Sequence, residues 1–184
     1  MPKNLDAILD ESDFAFREVP ICLKRSARSR WDAAQAELLE MTNLIEGTRD
    51  QSGKVQATAG RIAARAELAQ RVREIEEEIR DNTVTFRIVG MPFPEYNAIL
   101  IDHPPRDGNM VDRAVGYNVA TFHPALVKAC IEDPKLTDEQ WERLVARLAD
   151  GDFDRLATAA NEVNRRLDDG RVPFSQTASA EMPD

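Results

Sequence analysis

The chain has 184 residues, with 24 Lys and Arg against 33 Asp and Glu, for a formal net charge of −9. That balance argues against a general nucleic-acid binder, which needs surplus cations to neutralise phosphates. Two cysteines without CxxC spacing build no disulfide framework and fit a reducing compartment, and no run of about 18 apolar residues is present to span a membrane.

Residues 1–15 form an acidic N-terminal segment that lacks the long apolar stretch of a signal peptide. Leu5, Ile8 and Leu9 are spaced there for at most a short helix. "REVPICLKR" reads as a strand with Val19, Ile21 and Leu23 on one face, and Pro20 places it at a sheet edge. From Ser29 the period changes. Trp31, Ala34, Leu38, Met41 and Ile45 recur at steps of three and four, one face of a helix that Gly47 ends. The polar segment at 47–60 reads as a loop. A second helix at about 60–81 carries Leu68, Val72, Ile75 and Ile79 on one face. Two such stripes joined by a short linker predict an antiparallel helical hairpin.

"NTVTFRIVGMP" alternates, with Val84, Phe86 and Ile88 facing one way and Thr85 and Arg87 the other, and predicts a strand paired with the one near residue 20. A short helix follows, with Tyr96, Ile99 and Leu100, stopped by Pro104 and Pro105. "TFHPALVKACIEDP" places Pro124 in a first turn and Leu126, Val127, Cys130 and Ile131 on a buried face. "LTDEQWERLVARLADG" has a capping box of Thr137 and Gln140, an inner face of Trp141, Leu144, Val145 and Leu148, and a stop at Gly151. The last helix has Phe153, Leu156, Ala160, Val163 and Leu167 on one side and ends at Gly170. The fold class is therefore mainly α (α+β). A small antiparallel strand pair with a projecting helical hairpin spans 16–90, a compact helical subdomain of about four helices spans 91–170, and a flexible tail spans 171–184.

The candidate chemistry is thin. His103 beside Asp102, and His123 seven residues before Cys130, supply only two histidines and none of the tight local spacing that zinc requires. Each His-Pro pair instead punctuates a helix end, His103 closing one and His123 opening the next. Seven residues along a helix is about 10 Å of rise, which keeps His123 from activating Cys130. Ser175 and Ser179 lie in the tail, with no GxSxG elbow. Asp150, Asp152 and Asp154 have the spacing that opens an EF-hand loop. The places that demand Gly and Glu hold Arg155 and Asn161, so a helix end followed by an Asp152 N-cap explains them better. No phosphate-cradling glycine loop is present. The basic cluster Lys24, Arg25, Arg28 and Arg30 reads as the solvated start of a helix. No catalytic, metal or cofactor residue is assigned, no cofactor is expected, and the residues name no reaction; a non-enzymatic interaction protein is expected.

The run from His103 to Asn164 carries more information as a whole. It reads HPP, a short acidic linker, YNVATFHPALVKAC, a proline, a capped helix with an aromatic first turn, a glycine–acid turn and a final helix with VN. Its fixed places are His103, Pro104, Pro105, Tyr117, Asn118, Thr121, Phe122, Pro124, Ala125, Leu126, Val127, Ala129, Cys130, Pro134, Gly151, Val163 and Asn164. In this order the chain resembles the tail assembly chaperones of long-tailed, non-contractile (siphovirus-type) bacteriophages, over about residues 83–179, and "VPFS" at 172–175 is similar to the start of their C-terminal tails. Residues 16–81 carry nothing diagnostic.

The resemblance implies a short-form chaperone that binds the tape-measure protein and keeps it soluble until the tail tube polymerises. It also implies location in the host cell cytoplasm and absence from the mature virion. The tail-tube protein, a frameshifted long form of the chain and a second copy are further partners in that picture; membrane and nucleic acid are not. Candidate partner-binding residues are Tyr117, Phe122, Trp31, Leu38, Leu68 and Val72, with core packing the simpler role for the two phage-motif aromatics. Two other classes compete: a structural virion protein (head–tail connector or minor tail protein), and a small regulatory or nucleic-acid-binding protein using Lys24–Arg30.

Overall fold

The computed structural model describes residues 4–47 and 59–165. The segment 171–184, Leu167 and Gly170, and most of the loop at 47–60 lie outside these residues. Among those described, the chain is mainly helical with a small three-stranded antiparallel sheet. The elements in order are α1 (Leu5–Asp10), β1 (Phe16–Cys22), α2 (Arg25–Glu46), α3 (Ala59–Asp81), β2 (Thr83–Val89), α4 (Phe93–Asp102), α5 (Met110–Val115), α6 (Val119–Cys130), β3 (Ile131–Asp133), α7 (Asp138–Val145) and α8 (Asp150–Arg165).

The sheet order is β1-β2-β3. Pro20, which cannot donate to a ladder, therefore sits in an edge strand with its ring exposed. The alternation in β2 buries Phe86 and Ile88 and leaves Thr85 exposed. β3 was not expected, because Ile131 continues the apolar spacing of α6. Ile131 instead pairs with Ile88, and Asp133 with Arg87, across a bulge between Arg87 and Ile88. Arg87 stacks 4.0 Å over the Phe16 ring and its Nε donates to Glu132 at 2.7 Å, tying side chains from all three strands together.

By contact the described residues form two compact units, each assembled from segments distant in sequence. One comprises residues 18–86 and 136–152. Its hairpin is antiparallel: Lys24 and Arg30 at the start of α2 meet Glu78 near the end of α3, Trp31 Nε1 donates to Glu76 at 3.0 Å, and Arg71 reaches Glu37. The seam is Ala34, Val72 and Ile75, with Trp31, Leu38 and Ile79 packed against it. α2 begins at Arg25, four residues before the expected start, and Ala27 in that added turn is fully buried.

The other unit comprises residues 4–17, 87–135 and 153–165. It buries Ile88, Phe122, Leu126, Val127, Cys130, Leu156, Ala157, Ala159 and Ala160. Asn164 is a polar tie within it: its side-chain oxygen accepts from the Met91 amide at 2.9 Å, and its amide nitrogen donates to Cys130 Sγ and the Ala160 carbonyl. Gly90 lies so close to α8 that a Cβ would sit 2.9 Å from the Val163 carbonyl oxygen, so no larger residue fits there without a shift.

Three further helix boundaries differ from expectation. α6 starts at Val119, capped by Asn118, whose side chain accepts from the Ala120 amide; His123 and Pro124 therefore lie inside the helix and do not open it. Asn is a strong N-cap, and it outweighs the preference of Pro for a first turn. α7 ends at Val145, leaving that side chain 37% exposed, and Gly151 falls in the first turn of α8. Asp152 is likewise helical and no N-cap; it lies 3.4 Å from Arg25. The capping box of Thr137 and Gln140 is present in both directions.

Candidate functional site

A network of side-chain interactions lies at the corner where α4, α5 and α6 meet. α4 opens on Pro92 and Pro94 and closes at His103, whose carbonyl accepts from the Asn118 amide at 2.9 Å. His103 Nδ1 also lies 2.9 Å from Thr121 Oγ1. The first His-Pro pair is thus a helix stop with a second job: it fastens the end of α4 to the start of α6.

Between them, "RDGNMVD" folds back on a buried carboxylate. Asp112 is 0% exposed and accepts four hydrogen bonds, from Arg106 Nε at 2.6 Å, Arg106 Nη2 at 3.1 Å, the Arg106 amide at 3.1 Å and the Val119 amide at 3.3 Å. The Arg106 guanidinium, and then the two backbone amides, hold the Asp112 carboxyl down at about 2. Asn109 caps α5 by accepting from the Val111 and Asp112 amides, and Gly116 ends it at φ 87, a left-handed conformation suited to glycine. In sequence this stretch reads as plain linker. The available signal was the Arg106–Asp112 spacing around a DGN turn, a pattern indistinguishable from a solvated loop until burial is known.

Tyr117 and Phe122 are core residues, 6% and 0% exposed. Their rings lie 4.1 Å apart by centroid, and Tyr96 meets Phe122 edge-on at 6.0 Å. Tyr117 Oη lies 3.2 Å from His123 Nε2. Burial lowers the His123 pKa, with Asp154 acting in the opposite direction. In the hairpin, Val72 is buried in the seam, Trp31 and Leu38 are half-buried against it, and Leu68 lines a groove of about 310 Å³ with Glu37, Glu40, Met41 and Leu44. The structure therefore divides the six candidate residues between two units, four in the hairpin and two in the α4–α6 corner.

Burial pushes the Cys130 thiol up to about 11, against a smaller opposing effect of Asn164, so it is protonated at neutral pH. No group of three or more His, Cys, Asp or Glu side chains among the described residues could hold a metal ion. Asp150, Asp152 and Asp154 lie on helix α8 and not in an open loop, so the calcium-loop geometry is not formed. Ser175 and Ser179 fall outside the described residues. In the basic cluster, Lys24 and Arg30 bind Glu78, Arg25 faces Asp152, and Arg28 faces Asp32 while stacking 4.9 Å over Trp31. Among the described residues, no helix is long and apolar enough to cross a membrane.

What the corner does present is apolar surface. Ile101 (67%), Met110 (83%), Val111 (62%) and Val115 (44%) are exposed on α4 and α5. Comparison of the chain with protein-family models, with curated proteins and with solved structures finds no match in any of the three.

Proposed function

We propose that this chain is a non-enzymatic tail assembly chaperone of a long-tailed bacteriophage, binding the tape-measure protein and keeping it soluble until the tail tube polymerises around it. The observation that carries the reading is the ordered motif run from His103 to Asn164. Its support is that many of these motif residues pack and cap within one unit: His103 and Thr121 fasten two helices, Asn118 caps α6, Tyr117, Phe122, Leu126, Val127 and Cys130 are buried, and Asn164 binds across to Met91 and Cys130. A sequence signature made of core and cap residues marks a shared scaffold and leaves the exposed side chains free to fit a partner.

The physics of such a task suits the composition. A tape-measure protein is a long helix with apolar faces, and a helical binder covers such stripes by laying them into grooves. Binding the exposed chain lowers its free concentration, and with it the driving force for aggregation, by mass action. A net charge of −9 keeps the coated complex soluble and repels its neighbours. The same charge, with the Lys24–Arg30 cations each facing a carboxylate, speaks against the nucleic-acid alternative. Co-expression with the tape-measure protein is the test: the proposal requires that protein to become soluble and to co-purify.

A further inference from the structure

We infer that the outward faces of α4 and α5 form a preorganised apolar platform that docks a helical partner segment bearing Lys or Arg beside its apolar stripe. α4 is apolar nearly all round (Phe93, Pro94, Tyr96, Ala98, Ile99, Leu100, Ile101), yet the structure buries none of its residues fully. A helix of that composition is normally covered on both sides. Tyr96, Ile99 and Leu100 are half-buried on its inner side, where Tyr96 meets Phe122, while Pro94, Ala98 and Ile101 recur at four and three and are exposed. On α5, Met110, Val111 and Val115 are exposed as well.

Both helices are anchored at the same corner. The bond from the Asn118 amide to the His103 carbonyl joins the C-terminal ends of α4 and α5, placing Ile101 and Val115 each within three residues of one 2.9 Å contact. The four hydrogen bonds on Asp112 fix the connection between the helices. Because these bonds already order the main chain of the corner, little further backbone ordering is needed when its apolar side chains are covered. Several large apolar side chains exposed on two helices anchored at one corner point to an interaction site.

Charge selects the occupant. Between Phe93 and Gly116, Asp112 and Arg106 neutralise each other, leaving Glu95, Asp102 and Asp107 against Arg113. A second copy would bring the same carboxylates to the face, whereas a segment with basic flanks meets opposite charge. The identity of that segment as part of the tape-measure protein rests on the proposed function; the chemistry of the platform does not.

The probe is a synthetic amphipathic helical peptide with Leu on one face and Lys beside it, compared with a Glu-flanked peptide of the same apolar face, titrated into the purified full chain. The Lys peptide is expected to bind at least about tenfold more tightly than the Glu peptide. The variant Ile101→Asp/Val111→Asp is expected to weaken Lys-peptide binding by at least about tenfold, with an unchanged circular dichroism spectrum and Tm. Met110→Asp, at the most exposed of these positions, serves as a second variant should the double change disturb folding. Equal binding by wild type and both variants, or a preference for the Glu peptide, overturns the inference. So does a wild-type dimer that Ile101→Asp/Val111→Asp dissociates, since the occupant would then be a second copy. Co-expression with the tape-measure protein separates the two levels. If wild type and variant both solubilise it, the platform fails and the chaperone reading stands. If wild type fails to solubilise it while the Lys peptide still binds the platform, the chaperone reading fails and the platform stands.

Discussion

Asp112 keeps a charge in a fully buried position because four donors converge on it, two of them from the Arg106 side chain. The pairing has a sign in pH. The folded carboxyl titrates at about 2 against an ordinary 3.8, so its contribution to stability is complete above the ordinary value and is lost as pH falls toward the folded one. Asp112→Asn removes the charge and turns an N–H toward donors. It is expected to lower Tm at neutral pH by roughly 5 °C or more, and to shrink that deficit as the pH of the melt is taken down through this window. An equal deficit at every pH would show that Asp112 acts by shape alone. Cysteine reactivity checks burial independently: the half-buried Cys22 is expected to react with a thiol reagent in the native protein, and the buried Cys130 only after denaturant is added. At this scale the sequence disclosed the apolar packing residues well, because Phe86, Ile88, Val72 and Ile75 sit on clean periodic faces. It concealed Asp112, since nothing local separates a buried, four-bonded aspartate from one in a solvated turn.

Among the elements, the legible ones carry their own signals. The hairpin helices have long stripes at steps of three and four, β2 has strict alternation, and α7 has its capping box. Thr137→Ala removes the acceptor for the Gln140 amide and is expected to cost about 1 kcal/mol, read as a shift in denaturant midpoint at constant m-value. The elements missed are those that depend on distant chain. β3 is three residues long and exists because β2 offers it a partner, so Ile131 reads locally as more helix. α5 is six residues between an Asn cap and a Gly stop, too short for a period to show. α6 begins one turn early because Asn118 caps it, which puts Pro124 inside the helix and leaves the Ala120 carbonyl without its usual amide donor. The two His-Pro pairs that look alike in sequence thus differ in use: His103 ends a helix, whereas His123 lies within one and meets the Tyr117 hydroxyl.

For the molecule as a whole, fold class followed from pattern, but the grouping of segments into two interleaved units did not, because residues 136–152 join the hairpin unit through contacts that no local window contains. Function lies further still from pattern. The run from His103 to Asn164 carries a resemblance in motif order, and in the fold many of its residues are packing and capping residues; the proposed partner surface is the exposed apolar residues on α4 and α5. The most direct measurement of the central claim is the soluble fraction of the tape-measure protein expressed with and without this chain. It is expected to be insoluble alone, and soluble and co-purifying when this chain is present. A tape-measure protein that stays insoluble and alone, together with stoichiometric amounts of this chain in purified mature particles, would contradict the chaperone reading and identify a structural component of the virion.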